Sequence, residues 1–275
     1  MTDRDRLLRL LHTADNFVKY SGGSTRGHNR ARHRLETVLA EAERTNDTAL
    51  IEQVRLRLDD LDRVPASPET EIEPEQETSK APLPEHAAKR VPPGQRVRRG
   101  WPVLHEGPVP AFDPEAWRFT VRGEVAMDVE LGYSELRSLP TIELASDFHC
   151  VTGWSRLDNR WRGVRSATVL DLAGPLDDAR HAVVHAEYGY TANLPLDVLR
   201  EDTSILAWGH DGTDLAPKHG YPLRLVVPRL YGWKSVKWVR SFELLTEDRR
   251  GFWEVRGYHN RADPWLEERY SYQES

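Results

Sequence analysis

The only cysteine of the chain, Cys150, stands between a histidine and a group of arginines. His149 precedes it, and Arg156, Arg160 and Arg162 follow. Positive charge lowers the pKa of a thiol, and the thiolate is the form that binds metal ions. Thiolates suit soft or high-valent metals, and no second cysteine is present to suggest zinc. The pattern therefore indicates a metal ligand, although a lone cysteine is also often a small buried hydrophobic residue and His149 a satisfied core histidine.

A second basic segment begins at His219 and continues through Arg224 to Lys237. Gly220 and Gly232 interrupt it, and glycine lets a backbone approach a ligand closely. A guanidinium and an ammonium group that converge on such turns can hold a phosphate. The alternative is a strand whose basic ends are solvated.

The elements that would position these residues lie in the last two thirds of the chain. All nine tryptophans occur at or beyond Trp101, so the material for a core is concentrated there. Short alternating runs and short helical patterns follow one another without a regular βαβ series, which predicts an α+β domain. The predicted strands are Trp117–Val121, Ala182–His185 and Leu223–Val227, and the predicted helices are Ser134–Leu139 and Val169–Ala173. Residues Arg156–Gly163 are predicted to form a polar loop.

The N-terminal part differs from this domain in composition and in hydrophobic periodicity. Leucines at helical spacing predict a short helix, a turn at Gly22–Gly23 and then a helical hairpin that extends to residue 64, with Asp47 as the N-cap of its second helix. Residues 65–93 are rich in Pro, Glu, Ser and Thr and predict a disordered linker. The domain that follows is predicted to span residues 94–275.

Composition excludes several classes of function. The net charge is −6, which is not the basic footprint of a nucleic-acid-binding protein. One cysteine allows no intramolecular disulfide and is typical of a reduced, cytoplasmic protein. The N-terminus does not resemble a secretion signal, and no apolar run is long enough to span a membrane.

Four segments together resemble the sulfite oxidase family of molybdopterin-dependent oxidoreductases, and in particular its small, haem-free bacterial members. They are FHCVTGWS around Cys150, YTANLPL, HGYPLRLVVP and YGWKSVKWV. The resemblance covers about residues 101–270. It implies a sulfite-oxidase-type molybdopterin-binding domain of mixed sheets that holds one molybdopterin, with a single dithiolene.

The resemblance also implies roles for particular residues. Cys150 would bind molybdenum. Tyr190 aligns with a tyrosine near the metal, although a half-buried strand aromatic is equally typical at such a place, and Arg156 or Arg160 would line an anion pocket. The cofactor contacts would be His105, Glu106, His219, Arg224, Ser235, Val236 and Lys237.

The reaction implied is two-electron oxygen-atom transfer on a small sulfur oxyanion or a related substrate. The sequence departs from the family pattern after Cys150, so sulfite itself is not assigned. No Cys-x-x-Cys-His motif is present, which predicts no haem and a separate electron-transfer partner. The alternatives are a sulfoxide or other oxide reductase and a cofactor-free scaffold or regulator. The N-terminal helices would mediate dimerisation or partner docking, or be a dispensable appendage.

Overall fold

The computed structural model describes residues 4, 6–8, 10, 11, 13, 14, 25–63 and 84–274. These residues form two compact units. The first contains the N-terminal helices together with Leu104–Gly107, and the second contains residues 84–103 and 108–274.

The first unit is helical, as predicted. The described residues between 4 and 14 are helical, and they are followed by α1 (Thr25–Arg44) and α2 (Thr48–Arg63). Leucine, valine and alanine side chains at helical spacing form its core, among them Leu35, Val38 and Val54. Asp47 caps α2 as predicted, because its Oδ1 accepts a hydrogen bond from the backbone N–H of Leu50 at 3.1 Å. The predicted turn at Gly22–Gly23 lies outside the described residues.

Only the end of the predicted linker is described. Residues 84–93 contain the short helix α3 (Glu85–Ala88) and depart from the prediction of disorder. Ala87 and Pro92 are buried, and the Arg90 guanidinium forms an ion pair with Asp147, with Nε 2.9 Å from Oδ2. Burial and a charged partner, both supplied by residues distant in sequence, order this segment. Residues 65–83 lie outside the described part of the chain, and the domain boundaries remain a prediction.

The second unit has the predicted α+β class and contains two mixed sheets. The first sheet has the order β1-β5-β8-β10, with β4 paired to β5 and β9 to β8, and the second has the order β3-β2-β11-β6-β7. The pairs β1–β5 and β2–β11 are parallel and the other pairs are antiparallel. The strands are β1 (Arg96–Val97), β2 (Arg118–Gly123), β3 (Val129–Gly132), β4 (Thr141–Cys150), β5 (Trp154–Arg165), β6 (His181–Ala186), β7 (Thr191–Pro195), β8 (Ile205–His210), β9 (Thr213–Asp214), β10 (Arg224–Val226) and β11 (Val239–Leu245).

Short helices connect the strands, and a buried apolar cluster packs between these elements. Trp117, Phe119, Trp208 and Phe242 are its largest members. The helices are α4 (Tyr133–Ser138), α5 (Ser166–Ala173) and α6 (Leu196–Arg200), with 3₁₀ turns at Glu187–Gly189, Pro217–His219 and Ser271–Gln273. No helix in the described ranges is both long enough and apolar enough to cross a lipid bilayer.

The predicted strands and helices are found with small shifts of their ends. Helix α4 begins at Tyr133, one residue earlier than predicted, and the Glu135 carboxylate accepts the N–H of the preceding Gly132 at 2.7 Å. A carboxylate in the first turn satisfies an amide that the helix itself leaves free.

The predicted polar loop at Arg156–Gly163 is wrong. These residues belong to the twelve-residue strand β5, which pairs with β4 along one edge and with β1 and β8 along the other. Pairing with β4 along the strand, and with β1 and β8 near its two ends, satisfies backbone groups of β5, so its polar composition does not prevent a strand. Trp161 is buried, while Asp158 adopts a positive φ of 58°.

Candidate functional site

Cys150 is the last residue of β4 and enters the tight turn that leads to β5. Its side chain is 8% exposed, and its Sγ lies 3.1 Å from Thr152 Oγ1. The Cys150 carbonyl accepts hydrogen bonds from the Gly153 N–H at 3.0 Å and from Gln95 Nε2 at 3.1 Å. We call residues 148–155 the Cys150 hairpin. Its backbone bonds hold the thiol in place at the end of the sheet.

His149 is a packed core residue, in keeping with the alternative stated above. Its ring is buried, and Nδ1 lies 2.8 Å from Ser155 Oγ. Burial lowers the pKa of His149 to about 4, so the ring is neutral near pH 7.

Arg224 brings a buried positive charge to the same region. The side chain is 1% exposed, and its guanidinium donates to the carbonyls of His219 at 2.9 Å and Ser235 at 3.1 Å. Its Nε–H has no hydrogen-bond partner among the described residues, and no described carboxylate pairs with it. Burial lowers its pKa to about 9. A buried guanidinium without a counter-ion is costly, which points to an anion as its missing partner.

Aromatic rings surround this guanidinium. The Cζ atom of Arg224 lies 5.0 Å from the ring centre of Trp101, 5.5 Å from Phe148 and 5.3 Å from Trp161. Trp101 also stacks on His219, with ring centres 4.0 Å apart and planes 7° apart. The walls of the site are therefore flat and apolar, which strengthens the electrostatic attraction of an anion inside it.

Lys237 and His219 both lie next to Arg224. Lys237 forms a β-bridge with Arg224, and its Nζ donates to the Lys218 carbonyl at 2.8 Å. Burial and then repulsion from Arg224 hold the pKa of Lys237 well below its ordinary value, while the Cys150 thiolate acts in the opposite direction. Burial, followed by Lys237 and Arg224, lowers the pKa of His219 to about 3, and its Nδ1 has no described partner.

The two glycines of this region act differently from the prediction. Gly220 has a φ of +114°, and a Cβ there would lie 2.9 Å from Arg224 Cβ and 3.3 Å from Lys237 Cβ. A Cβ on Gly232 would lie 2.5 Å from Phe148 Cζ. Because glycine has no side chain, Arg224, Lys237 and Phe148 can pack against these two positions. The sequence had instead predicted that a ligand would approach the backbone there.

Ser235 and Val236 turn their side chains into the protein. Ser235 Oγ accepts the Val227 N–H at 2.9 Å, and the Val236 side chain, 1% exposed, belongs to the apolar core. The Val236 carbonyl accepts the Leu225 N–H at 2.7 Å. These residues fix the strand that carries Arg224, so their own contact with a cofactor remains a prediction and would use the backbone.

The two arginines predicted for the anion pocket are separated by the fold. Arg156 donates to His210 Nε2 at 2.8 Å and pairs with Asp211 Oδ2 at 2.6 Å. The His210 ring lies 4.5 Å from Trp101, so Arg156 joins the aromatic site. The Arg160 side chain is exposed, and the backbone N–H of this residue donates to Asp211 Oδ1 at 3.0 Å.

Tyr190 lies just before β7 and contacts the cofactor segment predicted from sequence. Its hydroxyl donates to the Trp233 carbonyl at 2.8 Å, and its ring lies 5.5 Å from that of Phe252. His105 and Glu106 group with the first unit, where His105 Nδ1 lies 2.9 Å from the Gly107 carbonyl oxygen. Their roles stay predictions.

The sequence reasoning missed a buried ion pair beside this site. Lys234 and Glu254 have side chains 1% and 0% exposed, and Nζ lies 2.6 Å from Oε1. Lys234 also donates to the carbonyl of Asn193 at 2.8 Å and to its Oδ1 at 2.9 Å. The position of Lys234 next to Ser235 was the only signal, because nothing local marks a lysine as buried.

The arrangement fits an anionic, phosphate-bearing cofactor that presents sulfur ligands to a metal. Arg224 Nε and His219 Nδ1 are buried polar atoms without a described partner, Lys237 forms a β-bridge with Arg224, and Arg224 lies against Phe148 of the Cys150 hairpin. Within the described ranges, no group of three or more His, Cys, Asp and Glu side chains is placed to hold a metal ion. Molybdopterin carries the phosphate and dithiolene sulfurs that such a site would bind.

Comparison with known proteins agrees with this fit. Residues 106–253 match the family described as the oxidoreductase molybdopterin binding domain. The chain belongs to this family, and it is a sulfite-oxidase-like oxidoreductase.

Two curated relatives illustrate the range of similarity. The chain is 47% identical over 184 residues to the "Uncharacterized oxidoreductase YuiH" of Bacillus subtilis, which covers 66% of this chain and 93% of that protein. It is 26% identical over 160 residues to the protein-methionine-sulfoxide reductase catalytic subunit MsrP of Campylobacter jejuni, and this match covers 52% of the chain and 54% of the relative.

Among solved structures, the sulfane dehydrogenase SoxCD of Paracoccus pantotrophus has the same fold, with a TM-score of 0.52 and 17% identity. The match covers 71% of this chain and 62% of that one.

Proposed function

We propose that this protein binds molybdopterin with molybdenum at Cys150 and transfers an oxygen atom to or from a small sulfur oxyanion or a related substrate. The observation that supports the proposal is the buried pair of Arg224 and Lys237, which has no described carboxylate partner and in which Arg224 lies against Phe148 of the Cys150 hairpin. A cofactor that carries negative charge would balance these groups.

The residues have distinct proposed roles. Cys150 supplies the protein ligand to the metal, while His219, Arg224 and Lys237 bind the anionic parts of the cofactor. The backbone of Ser235 and Val236, and the loop residues His105 and Glu106, complete the cofactor contacts. When bound, the cofactor supplies two-electron oxygen-atom transfer, and the protein supplies binding, orientation and charge.

Arg156 is the proposed substrate arginine. Its guanidinium is shared with Asp211, and the neighbouring His210 is neutral because burial lowers its pKa to about 4. An oxyanion next to Arg156 would therefore meet one positive charge that is only partly balanced. The Tyr190 hydroxyl donates a hydrogen bond to the Trp233 carbonyl. We also propose that Tyr190 contacts the substrate directly.

Metal and pterin analysis of the full chain tests the proposal directly. Protein produced in a host that makes molybdopterin is expected to contain molybdenum and pterin near a one-to-one ratio, and Cys150→Ser is expected to lose turnover. A preparation without molybdenum, or a fully active Cys150→Ser variant, would refute the assignment. The first result would instead support the cofactor-free scaffold.

A sulfoxide reductase is the second candidate. It is favoured by the similarity to relatives named as protein-methionine-sulfoxide reductase subunits, at 27% and 26% identity. Steady-state assays with sulfite and ferricyanide, set against methionine sulfoxide and reduced viologen, separate the two directions of oxygen transfer. In both cases the electrons are exchanged with a separate partner protein.

The helical first unit is proposed to dock a partner or a second copy of the chain. Removal of residues 1–63 is expected to change the oligomeric state or the turnover with a protein partner and to leave the molybdenum content unchanged. If neither property changes, the unit is a dispensable appendage.

A further inference from the structure

The C-terminal segment, residues 254–269, lies beyond the end of the matched family domain at residue 253. It nevertheless contacts both parts of the candidate site, namely the Cys150 hairpin and the segment that leads to Lys237. The contacts come from three residues of the segment, Glu254, Ala262 and Arg269.

Arg269 connects the two parts through one side chain. Its Nη1 donates at 2.5 Å to the carbonyl of Val151, a residue of the turn that follows Cys150. Its Cζ lies 5.1 Å from the ring centre of Tyr231, the first residue of the segment that leads to Lys237. The side chain is only 16% exposed, so it is largely shielded from competing water.

Backbone hydrogen bonds continue the same connection. The Tyr231 N–H donates to the Ala262 carbonyl at 2.9 Å, and the next N–H, of Gly232, donates to the His149 carbonyl at 2.8 Å. The chain near Tyr231 is thus bonded to the C-terminal segment on one residue and to the Cys150 hairpin on the next.

Glu254, the first residue of the segment, contacts Trp233 and Lys234. Its Oε1 accepts from Trp233 Nε1 at 2.8 Å and pairs with Lys234 Nζ at 2.6 Å, and both of these residues precede Ser235. The whole pair is buried, so its geometry depends little on the ionic strength of the solvent.

We propose that residues 254–269 form a clasp that sets the position of the Cys150 hairpin relative to the basic segment, with Arg269 and Glu254 as positioning residues. A cofactor bound at once to a thiolate and to cationic groups needs those groups at a fixed separation. The role in cofactor binding rests on the proposed function, whereas the restraint of the hairpin does not.

The single cysteine allows the clasp to be tested without activity measurements. The rate at which iodoacetamide alkylates Cys150 in the folded full-length chain reports how often the hairpin opens. Arg269→Gln removes the charged donor to Val151 and the contact with Tyr231. Loss of a hydrogen bond of this kind is expected to raise the alkylation rate about tenfold. Arg269→Lys retains a charged donor and is expected to give an intermediate rate.

Arg261→Gln is the matched control. Arg261 lies in the same segment, but its side chain is 57% exposed and its Nε is 4.0 Å from Glu268. The alkylation rate of Cys150 in the Arg261→Gln variant is expected to stay within twofold of the rate in the original protein. Circular dichroism confirms that each variant is folded. If Arg269→Gln does not fold, Glu254→Gln serves as the second variant.

The outcomes separate the two proposals. With protein from a host that makes molybdopterin, Arg269→Gln is also expected to release molybdenum about tenfold faster to a chelator. Protein that never contains molybdenum would refute the proposed function, while the alkylation rates would still test the clasp. If folded Arg269→Gln and Glu254→Gln both react at the original rate, the clasp is refuted.

Discussion

Replacing Lys234 by methionine would leave the Glu254 carboxylate buried without its cation. The ammonium group has three acceptors within 2.9 Å, namely Glu254 Oε1, the Asn193 carbonyl oxygen and Asn193 Oδ1. Methionine is close to lysine in length and fills the same space without a donor. Breaking a buried pair from one side typically costs about 3–5 kcal/mol. We expect a loss of this size in the free energy of unfolding of the second unit.

The double variant Lys234→Met, Glu254→Gln separates the loss of charge balance from the loss of packing. It removes both charges, so it is expected to recover at least half of the stability lost in the single variant. Oε2 of Glu254 has no described partner, which makes the neutral amide easier to accommodate at this oxygen.

Urea unfolding followed by tryptophan fluorescence measures these changes. All nine tryptophans lie at or beyond Trp101, so the signal comes from the second unit. At a slope of about 2–3 kcal/mol per molar urea, the single variant is expected to lower the midpoint by about 1–2.5 M. A single variant within about 1 kcal/mol of the original protein, or one no less stable than the double variant, would refute the electrostatic reasoning.

Three further predictions concern the site. Gly220→Ala is expected to destabilise the protein by about 1–3 kcal/mol in urea unfolding and to lower molybdenum content, since the residue combines a φ of +114° with a crowded Cβ position. Gly212→Ala, with a φ of +87° and open space around it, is the control for strain alone and should keep its molybdenum. The pKa of His210 is about 4 in the folded chain, below its ordinary 6.5, so the unfolded chain binds the proton first as the pH falls. The stability that this group contributes is complete above about pH 6.5 and is lost between pH 6.5 and 4, and His210→Gln should flatten the measured loss. Arg156→Lys is expected to raise the KM for an oxyanion substrate about tenfold or more, while Arg160→Lys leaves it unchanged, and equal effects would contradict the placement of these side chains.

The amino-acid sequence contains enough local information to predict the class of the fold and to single out candidate site residues. Hydrophobic periodicity predicts the helical hairpin and most short strands, because these patterns reflect which face of an element is buried. Cys150, His219, Arg224 and Lys237 are recognisable from their types, their neighbouring glycines and the order of the segments that carry them. In the structure Arg224 contacts His219, Lys237 and Phe148 of the Cys150 hairpin, while the roles of these residues remain predictions.

Other features depend on contacts between residues that are far apart in sequence. The polar run from Arg156 to Gly163 becomes a strand because β4 and β8 satisfy its backbone groups. Arg156 and Arg160 look alike in sequence, yet Arg156 hydrogen-bonds with His210 while the Arg160 side chain is exposed, and the register shift between β4 and β5 lies between these two arginines.

The buried pair of Lys234 and Glu254 is the clearest case of this kind. A lysine is ordinarily exposed, and its burial is possible only where the fold supplies a carboxylate and two further acceptors. Arg269 likewise reaches Val151 across a long stretch of chain. Local patterns therefore identify the groups with which the chain can do chemistry, while long-range packing places those groups and supplies the contacts that hold them there.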